Sequence, residues 1–245
     1  MSKIEILGVG IDNLSMDETV SRIGQAIASK ERMQVNTLNA EILYQALHDS
    51  RLMETINGCD LVTPDGTGIV WASEQLGTPC KERVTGIDLL NNLLKQSPKK
   101  GYKIYFYGSK PEILERAIKN IRETYPGINI VGSTHGYIKE DEQGKLLQDI
   151  QKKEPDLLFV ALGAPRQEYW IESSLKELPS LVAVGVGGSL DVISGELKRA
   201  PEFFQKLRLE WLYRALIQPS RFKRLMVLPR FMLAVKRQKR AIKKS

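Results

Sequence analysis

Over its first two hundred residues the chain alternates between two hydrophobic periods, and this alternation restricts the fold more than any other feature. Short apolar runs occur at KIEILGVGI, MQVNTL, DLVT, KIYFYG, INIVGS, DLLFVALG and LVAVGVGG. Between them lie stretches with helical spacing. Ser15-Met16-Asp17-Glu18 has the form of a capping box, and Met16, Val20, Ile23 and Ile27 then make one apolar stripe. Pro111 suits a first helical turn, and Ile113, Leu114, Ala117, Ile118 and Ile121 continue a stripe until Pro126-Gly127 stops it. Asp141 to Lys153 and Pro165 to Leu175 read the same way. Strands alternating with helices of this length predict an α/β fold: a Rossmann-like, largely parallel sheet covered by helices. A chain of 245 residues can bury such a core and still carry an appendage.

The charge distribution marks the appendage. From Lys206 to Ser245 there are 13 Lys/Arg and one acid, Glu210, so this segment is +12; the remaining 23 basic and 28 acidic residues leave residues 1–205 at −5. The division expected is therefore 1–200 as the α/β domain and 201–245 as a basic, amphipathic, helical segment, punctuated by Pro219 and Pro229. Trp211, Leu212, Leu216, Phe222, Leu225, Met226, Phe231 and Met232 interleave with Arg214, Arg221, Arg224 and Arg230. No uncharged run is long enough for a transmembrane helix. An anionic membrane surface is the preferred partner for such a segment. Packing on its own body, or on a second subunit in a homo-oligomer, is the next reading. Nucleic acid ranks last, because phosphate tracking leaves the large apolar side chains without a purpose.

Other classes are set aside on composition. The N-terminus MSKIEILGVGIDNLSMDE has no basic region followed by a long apolar stretch, so no secretory signal is expected. Two cysteines, Cys59 and Cys80, fit free thiols in a reducing compartment. With His48 and His135 the only histidines, no zinc site is expected.

In a parallel α/β sheet, ligands bind outside the carboxyl ends of the strands. Six polar loops fall there: NTLNAE (36–41), TPDGTG (63–68), YGSKPE (107–112), STHGYI (133–138), LGAPRQE (162–168) and GVGGSLD (185–191). Together they predict a cleft without naming its ligand. Gly185-Val186-Gly187-Gly188 is not a dinucleotide fingerprint, since the sixth position of that pattern is Leu190, and no Gly-Lys-Ser/Thr occurs anywhere. Asp65, in Pro64-Asp65-Gly66, is open to two readings. It is either a turn residue or a carboxylate held at the mouth of the cleft.

The blocks NTLNAEIL, DLVTPDGTGIVWA, ERVTGIDLL, GSKPEIL, DLLFVALGAPRQEYWI, VGVGGSLDVISGELKRAP and LRLEWLYRALIQPSR resemble, in order and over nearly the whole chain, the WecG/TagA/CpsF glycosyltransferases. Among these, they look most like the members of wall teichoic acid synthesis. The resemblance implies transfer of N-acetylmannosamine from a UDP-sugar donor to a lipid-linked N-acetylglucosamine acceptor, with inversion, by a peripheral protein on the inner face of the cell membrane. It implies that Asp65 is the general base. Thr37 and Asn39 match a second polar loop, where they would hold the sugar or orient Asp65; Asn39 also suits the N-cap of the helix AEILYQAL. Asp-x-Asp, the metal-holding pattern of many UDP-sugar transferases, is absent from the sequence. The expectation is therefore no metal and no cofactor, with the diphosphate met by helix N-termini and by Arg83, Arg214, Arg221 or Arg224. Gln167 is a candidate for a hydrogen bond to sugar or uracil, or else an exposed helix-start residue. Gly187, Gly188 and Asp191 are candidates for lining the uridine or diphosphate pocket, with Asp191 alternatively a helix cap. Two other readings remain: the same scaffold with another donor, such as a glucosyl or N-acetylmannosaminuronic acid nucleotide, and a nucleotide-binding membrane adaptor without catalysis.

Overall fold

The computed structural model describes residues 2–178, 180–198, 201, 204, 213 and 226–243. In chain order its elements are β1 (Lys3–Ile6), β2 (Val9–Asp12), α1 (Met16–Ala28), β3 (Met33–Leu38), α2 (Ala40–Ala46), α3 (Ser50–Asn57), β4 (Leu61–Pro64), α4 (Thr67–Leu76) and α5 (Gly86–Lys100). They continue with β5 (Lys103–Gly108), α6 (Pro111–Thr124), β6 (Asn129–Thr134), α7 (Gln143–Lys153), β7 (Leu157–Ala161), α8 (Arg166–Ser174), β8 (Val182–Gly185), α9 (Ser189–Ile193) and α10 (Val227–Ile242).

Six strands form one parallel sheet in the order β4-β3-β8-β7-β5-β6. Strands β3, β4, β7 and β8 are buried along their whole length; β7 and β8 accordingly read as apolar runs rather than as alternations, while β3 carries Gln34, Asn36 and Thr37 into the interior. One face of the sheet packs on α1, α5 and α6 through Ile23, Leu90, Leu93 and Ala117. The other packs on α7 and α8 through Leu146, Ile150 and Ile171, and toward the β4 edge on α2, α3 and α4 through Leu43, Ile56 and Ile69.

Local signals act where the sequence places them. Ser15 accepts the backbone N–H of Glu18, and the Glu18 carboxylate returns to the backbone N–H of Ser15, so both halves of the capping box are made. Pro111 opens α6, where its missing N–H costs no helical bond. The first apolar run differs from a single strand. KIEILGVGI turns back at Leu7-Gly8, both at positive φ (50° and 83°), and forms a two-stranded antiparallel hairpin outside the main sheet. Two consecutive positive φ values are what a tight hairpin needs, because their twist matches that of the strands. The hairpin is tied to the sheet by the Asp12 carboxylate, which accepts the N–H of Val62 at 2.9 Å.

Helix α10 lies against α2 and α4. Phe231 and Val235, one turn apart, are fully buried in the core that α2, α3, α4 and the hairpin share. Gln238, one turn further, accepts the N–H of Leu7 at 2.9 Å, and Lys239 donates to Gln75. Pro229 sits inside the first turn of α10 rather than between helices. The opposite face carries Met232 and Leu233, 40% and 50% exposed, beside exposed Lys236, Arg237 and Arg240. Among the described residues no helix is long and apolar enough to cross a membrane.

Candidate active site

The strand order brings together loops that are far apart in sequence. The ends of β4, β3, β8 and β7 are consecutive, so TPDGTG, NTLNAE, GVGGSLD and LGAPRQE form one group. The loops after β5 and β6 lie further along the sheet, joined to each other where Gly136 N–H donates to the Ser109 carbonyl at 2.8 Å.

Asp65 follows β4 directly. Its backbone N–H donates to the Leu38 carbonyl at 2.8 Å, which ties the end of β4 to the end of β3. Gly66 then takes φ 82° and ψ 161°, a conformation that a side chain resists, and serves as N-cap of α4. The segment before α5 is strapped to the same place: Val84 N–H donates to the Pro64 carbonyl, and the Thr63 hydroxyl donates to the Val84 carbonyl. The strap delivers Gly86, at the start of α5, to the Asp65 carboxylate, which accepts its N–H at 3.1 Å. The positive end of a fifteen-residue helix therefore faces a half-buried carboxylate. Arg83 is half-buried on the strap, three residues before Gly86.

Thr37 approaches from the neighbouring strand. A Cβ built on Gly86 would lie 3.0 Å from the Thr37 hydroxyl oxygen, so Gly86 sits close between Thr37 and Asp65, and a side chain there would press on Thr37. The Thr37 hydroxyl donates to the carbonyl of Gly185, at the end of β8, at 3.1 Å. Asn39 is the N-cap of α2, and its side-chain oxygen accepts the N–H groups of Glu41 and Ile42, both at 3.0 Å. It lies beside the Asp65 loop, 3.9 Å from where a Gly66 Cβ would stand.

Gln167 is 4% exposed, and its amide is engaged at both ends. Its oxygen accepts the N–H of Gly187 at 3.0 Å, and its nitrogen donates to Glu168 at 3.0 Å. The same nitrogen would lie 2.7 Å from a Cβ at Gly185, so a side chain there would push the Gln167 amide out of its place. Gly188 is the N-cap of α9, and Asp191 lies within that helix, half-buried, its carbonyl accepting from Leu197 N–H. Arg214, Arg221 and Arg224 lie outside the described residues. Among the described residues no three His, Cys, Asp or Glu side chains come together as a metal site would require.

Two participants escape the sequence reading. Asn36 and Glu168 are almost fully buried beneath the group of loops, Asn36 donating to a Glu168 carboxyl oxygen at 3.3 Å. A weak signal exists: Gln34 and Asn36 are polar residues two apart in one strand, hence on one face. Their partner in the first turn of α8 could not be read from the sequence.

A Thr37–Gly86–Asp65 cluster beside a glycine loop is suited to holding a hydroxyl next to a carboxylate, with backbone N–H groups close by for negative charge. Comparison with known proteins gives the family. The model of the family described as "Glycosyl transferase WecG/TagA/CpsF family" matches residues 4–245. A protein of Staphylococcus aureus (strain NCTC 8325 / PS 47), named N-acetylglucosaminyldiphosphoundecaprenol N-acetyl-beta-D-mannosaminyltransferase, is 39% identical over 247 aligned residues, covering 100% of this chain and 96% of that protein. A protein of the same name from Bacillus spizizenii is 38% identical over 205 residues, covering 84% of this chain and 79% of its own length. With a match of this extent, the chain belongs to the WecG/TagA/CpsF glycosyltransferase family.

Proposed function

We propose that the chain transfers N-acetylmannosamine from its UDP derivative to N-acetylglucosamine carried on undecaprenyl diphosphate, with inversion, in assembly of the wall teichoic acid linkage unit. The observation that carries this reading is the seat of Asp65 between the starts of α4 and α5, with Thr37 on the other side of Gly86. In a single displacement, the acceptor hydroxyl attacks the anomeric carbon and gives its proton to the Asp65 carboxylate. The bond from that carbon to the UDP oxygen breaks, and UDP leaves with the electron pair. Thr37 and Asn39 border the sugar, Arg83 serves the diphosphate, and Gly187, Gly188 and Asp191 line the nucleotide side. Gln167 serves the same side from below by holding Gly187. Arg214, Arg221 and Arg224 would reach the diphosphate or lipid headgroups from the C-terminal segment. Residues 201–245 are the membrane-associating part of the protein, on the cytoplasmic face, where both the nucleotide sugar and the lipid-linked acceptor are accessible.

The decisive assay is UDP release from UDP-N-acetylmannosamine with and without undecaprenyl-diphosphate-linked N-acetylglucosamine, run beside UDP-glucose and UDP-N-acetylmannosaminuronic acid. Acceptor-dependent release from the N-acetylmannosamine donor alone is expected. Equal or faster turnover of another donor reassigns the sugar, and no acceptor-dependent release from any donor removes catalysis.

Activity is also expected to survive EDTA. The motive is that the sequence lacks Asp-x-Asp, while the start of α5 turns backbone N–H groups toward the Asp65 loop and Arg83 lies three residues before it. Loss of turnover on chelation, restored by Mg²⁺ or Mn²⁺, would show that a metal site has been overlooked.

A further inference from the structure

The buried pair beneath the cleft poses a bonding problem. Glu168 is 2% exposed and Asn36 equally buried. Asn36 Nδ2 donates to Glu168 Oε1 at 3.3 Å, and Gln167 Nε2 donates to the same oxygen at 3.0 Å. The two remaining oxygens, Glu168 Oε2 and Asn36 Oδ1, are buried with no hydrogen-bond partner among the described residues. Both are acceptors on two side chains already joined through Asn36 Nδ2 and Glu168 Oε1, and a buried acceptor that meets no donor is destabilising. Turning the Asn36 amide end for end exchanges the contacts but still sets an amide oxygen against a carboxylate oxygen. One proton on Glu168 removes the conflict: Oε2–H donates to Asn36 Oδ1 while Asn36 Nδ2–H donates to Oε1, closing a cyclic acid–amide pair.

The surroundings favour the neutral acid. Burial pushes the Glu168 carboxyl above its usual range, against the opposing effect of hydrogen bonds from Gln167, its own backbone and Asn36. The side chains of β3 that meet α8, Gln34 and Asn36, are uncharged. On α8 itself stand the Tyr169 phenol, raised to about 12 chiefly by burial, and Glu172, bonded to the Thr55 hydroxyl. From α3 and the turn after it come Cys59, whose thiol is raised chiefly by burial, and Asp60, which accepts the Gln34 N–H. Arg51 of α3 lies over the Tyr169 ring, 4.5 Å from its centroid. Among the described residues no Lys or Arg forms an ion pair with Glu168.

We propose that Glu168 works as a protonated carboxylic acid and is a positioning residue for the transfer: its pair with Asn36 fixes the Gln167 amide, which holds the glycine loop that Thr37 bonds from the opposite side. The chain of contacts is continuous. Glu168 orients Gln167, Gln167 Oε1 holds Gly187 N–H and its nitrogen packs on Gly185, Thr37 donates to the Gly185 carbonyl, and Thr37 abuts Gly86, which holds Asp65. Neither Glu168 nor Asn36 touches substrate in this account.

The test compares the full chain with Glu168→Gln, Glu168→Ala and Glu168→Met. Glutamine reproduces the bonding of the protonated acid, accepting through its oxygen and donating to Asn36 through its nitrogen. Difference infrared spectra at about pH 6 are expected to show a protonated-carboxyl carbonyl band in the wild type that Glu168→Gln lacks. Stability supplies a second readout. A folded-state pKa raised above the unfolded value gives stability that is complete below the unfolded pKa and is lost as pH rises through the folded one. As pH rises above the ordinary carboxylate range the wild type should therefore lose unfolding free energy that Glu168→Gln keeps. In turnover, which rests on the glycosyl-transfer reading, Glu168→Gln is expected to stay within about threefold. Glu168→Ala should lose about 10- to 100-fold in kcat per folded molecule, with a smaller change in donor KM. Glu168→Met, of similar volume, replaces Ala if that variant does not fold. Absence of the carbonyl band, Gln as damaging as Ala or Met, or Ala and Met with normal kcat would each overturn the proposal. If the wild type turns over no donor, the glycosyl-transfer reading fails, while the infrared and stability readouts still decide the proton.

Discussion

Asp65→Asn leaves UDP binding within a few-fold of the wild type and lowers turnover by about 10² to 10⁴, the share that a positioned general base supplies. The substitution isolates the proton-accepting role. Asparagine has the same shape, and its side-chain oxygen can still take the N–H of Gly86, which the carboxylate accepts at 3.1 Å. The tie from Asp65 N–H to the Leu38 carbonyl belongs to the backbone and is untouched. Loop geometry, the start of α5 and the contact of Gly86 with Thr37 should therefore persist, and the thermal midpoint should barely move. What is lost is a group that can become a neutral acid as the acceptor hydroxyl attacks. Single-turnover rates with saturating donor and acceptor, paired with a UDP titration, separate the two quantities. Turnover within threefold of the wild type, with UDP affinity preserved, would remove Asp65 as the base and return it to an orienting or turn-forming role.

The sequence displays the alternation of strands and helices, and it displays the caps, because those depend on neighbours in the chain. Ser15 with Glu18, Pro111 at a first turn and Asn39 before α2 each act within four residues of themselves. The hairpin is the instructive local exception. Its turn, Leu7-Gly8, lacks the Asn-Gly or Asp-Gly pair that usually marks one, so an apolar run of nine residues conceals two strands. The site is a different case. Thr37 and Gly185 are 148 residues apart and Asn36 and Glu168 are 132 apart, and they meet only because β8 inserts beside β3. Strand order in a parallel sheet depends on how crossovers pack, and short-range pattern carries little of it. Gln167 shows the consequence. Its place at a helix start suggests exposure, yet α8 lies on the sheet in a way that buries this first turn against Gly185 and Gly187.

The second large effect concerns α10, whose two faces are expected to respond in opposite assays. Phe231→Ala empties a fully buried site between α10, α2 and α4, and a buried phenylalanine truncated to alanine costs about 3–5 kcal/mol. For a chain of this size that corresponds to a thermal midpoint lower by on the order of 10 °C. The outward face has no such role. Met232 and Leu233 are substantially exposed, so changing both to Ser, with Lys236, Arg237 and Arg240 changed to Gln, should leave the midpoint within about 2 °C. If α10 presents that face to an anionic bilayer, each basic residue removed is worth about 1 kcal/mol at the surface, so the three together weaken partition into such liposomes by about a hundredfold, before any loss of apolar insertion. The geometry makes the two faces separable: Phe231, Val235 and Gln238 follow one another at helical spacing on the body side, while Met232, Lys236 and Arg240 run along another line. Flotation with phosphatidylglycerol vesicles at low and high salt, beside thermal unfolding, measures both. A five-residue variant that floats like the wild type would take α10 out of membrane contact and leave it as a packing element alone. A Phe231→Ala protein with an unchanged midpoint would instead mean that α10 does not stay docked on α2 and α4 in solution. The whole helix would then be available to the membrane, and loss of the docked contact from Phe231 to the Gly68 end of α4 would leave the start of α4, next to Asp65, without its cover.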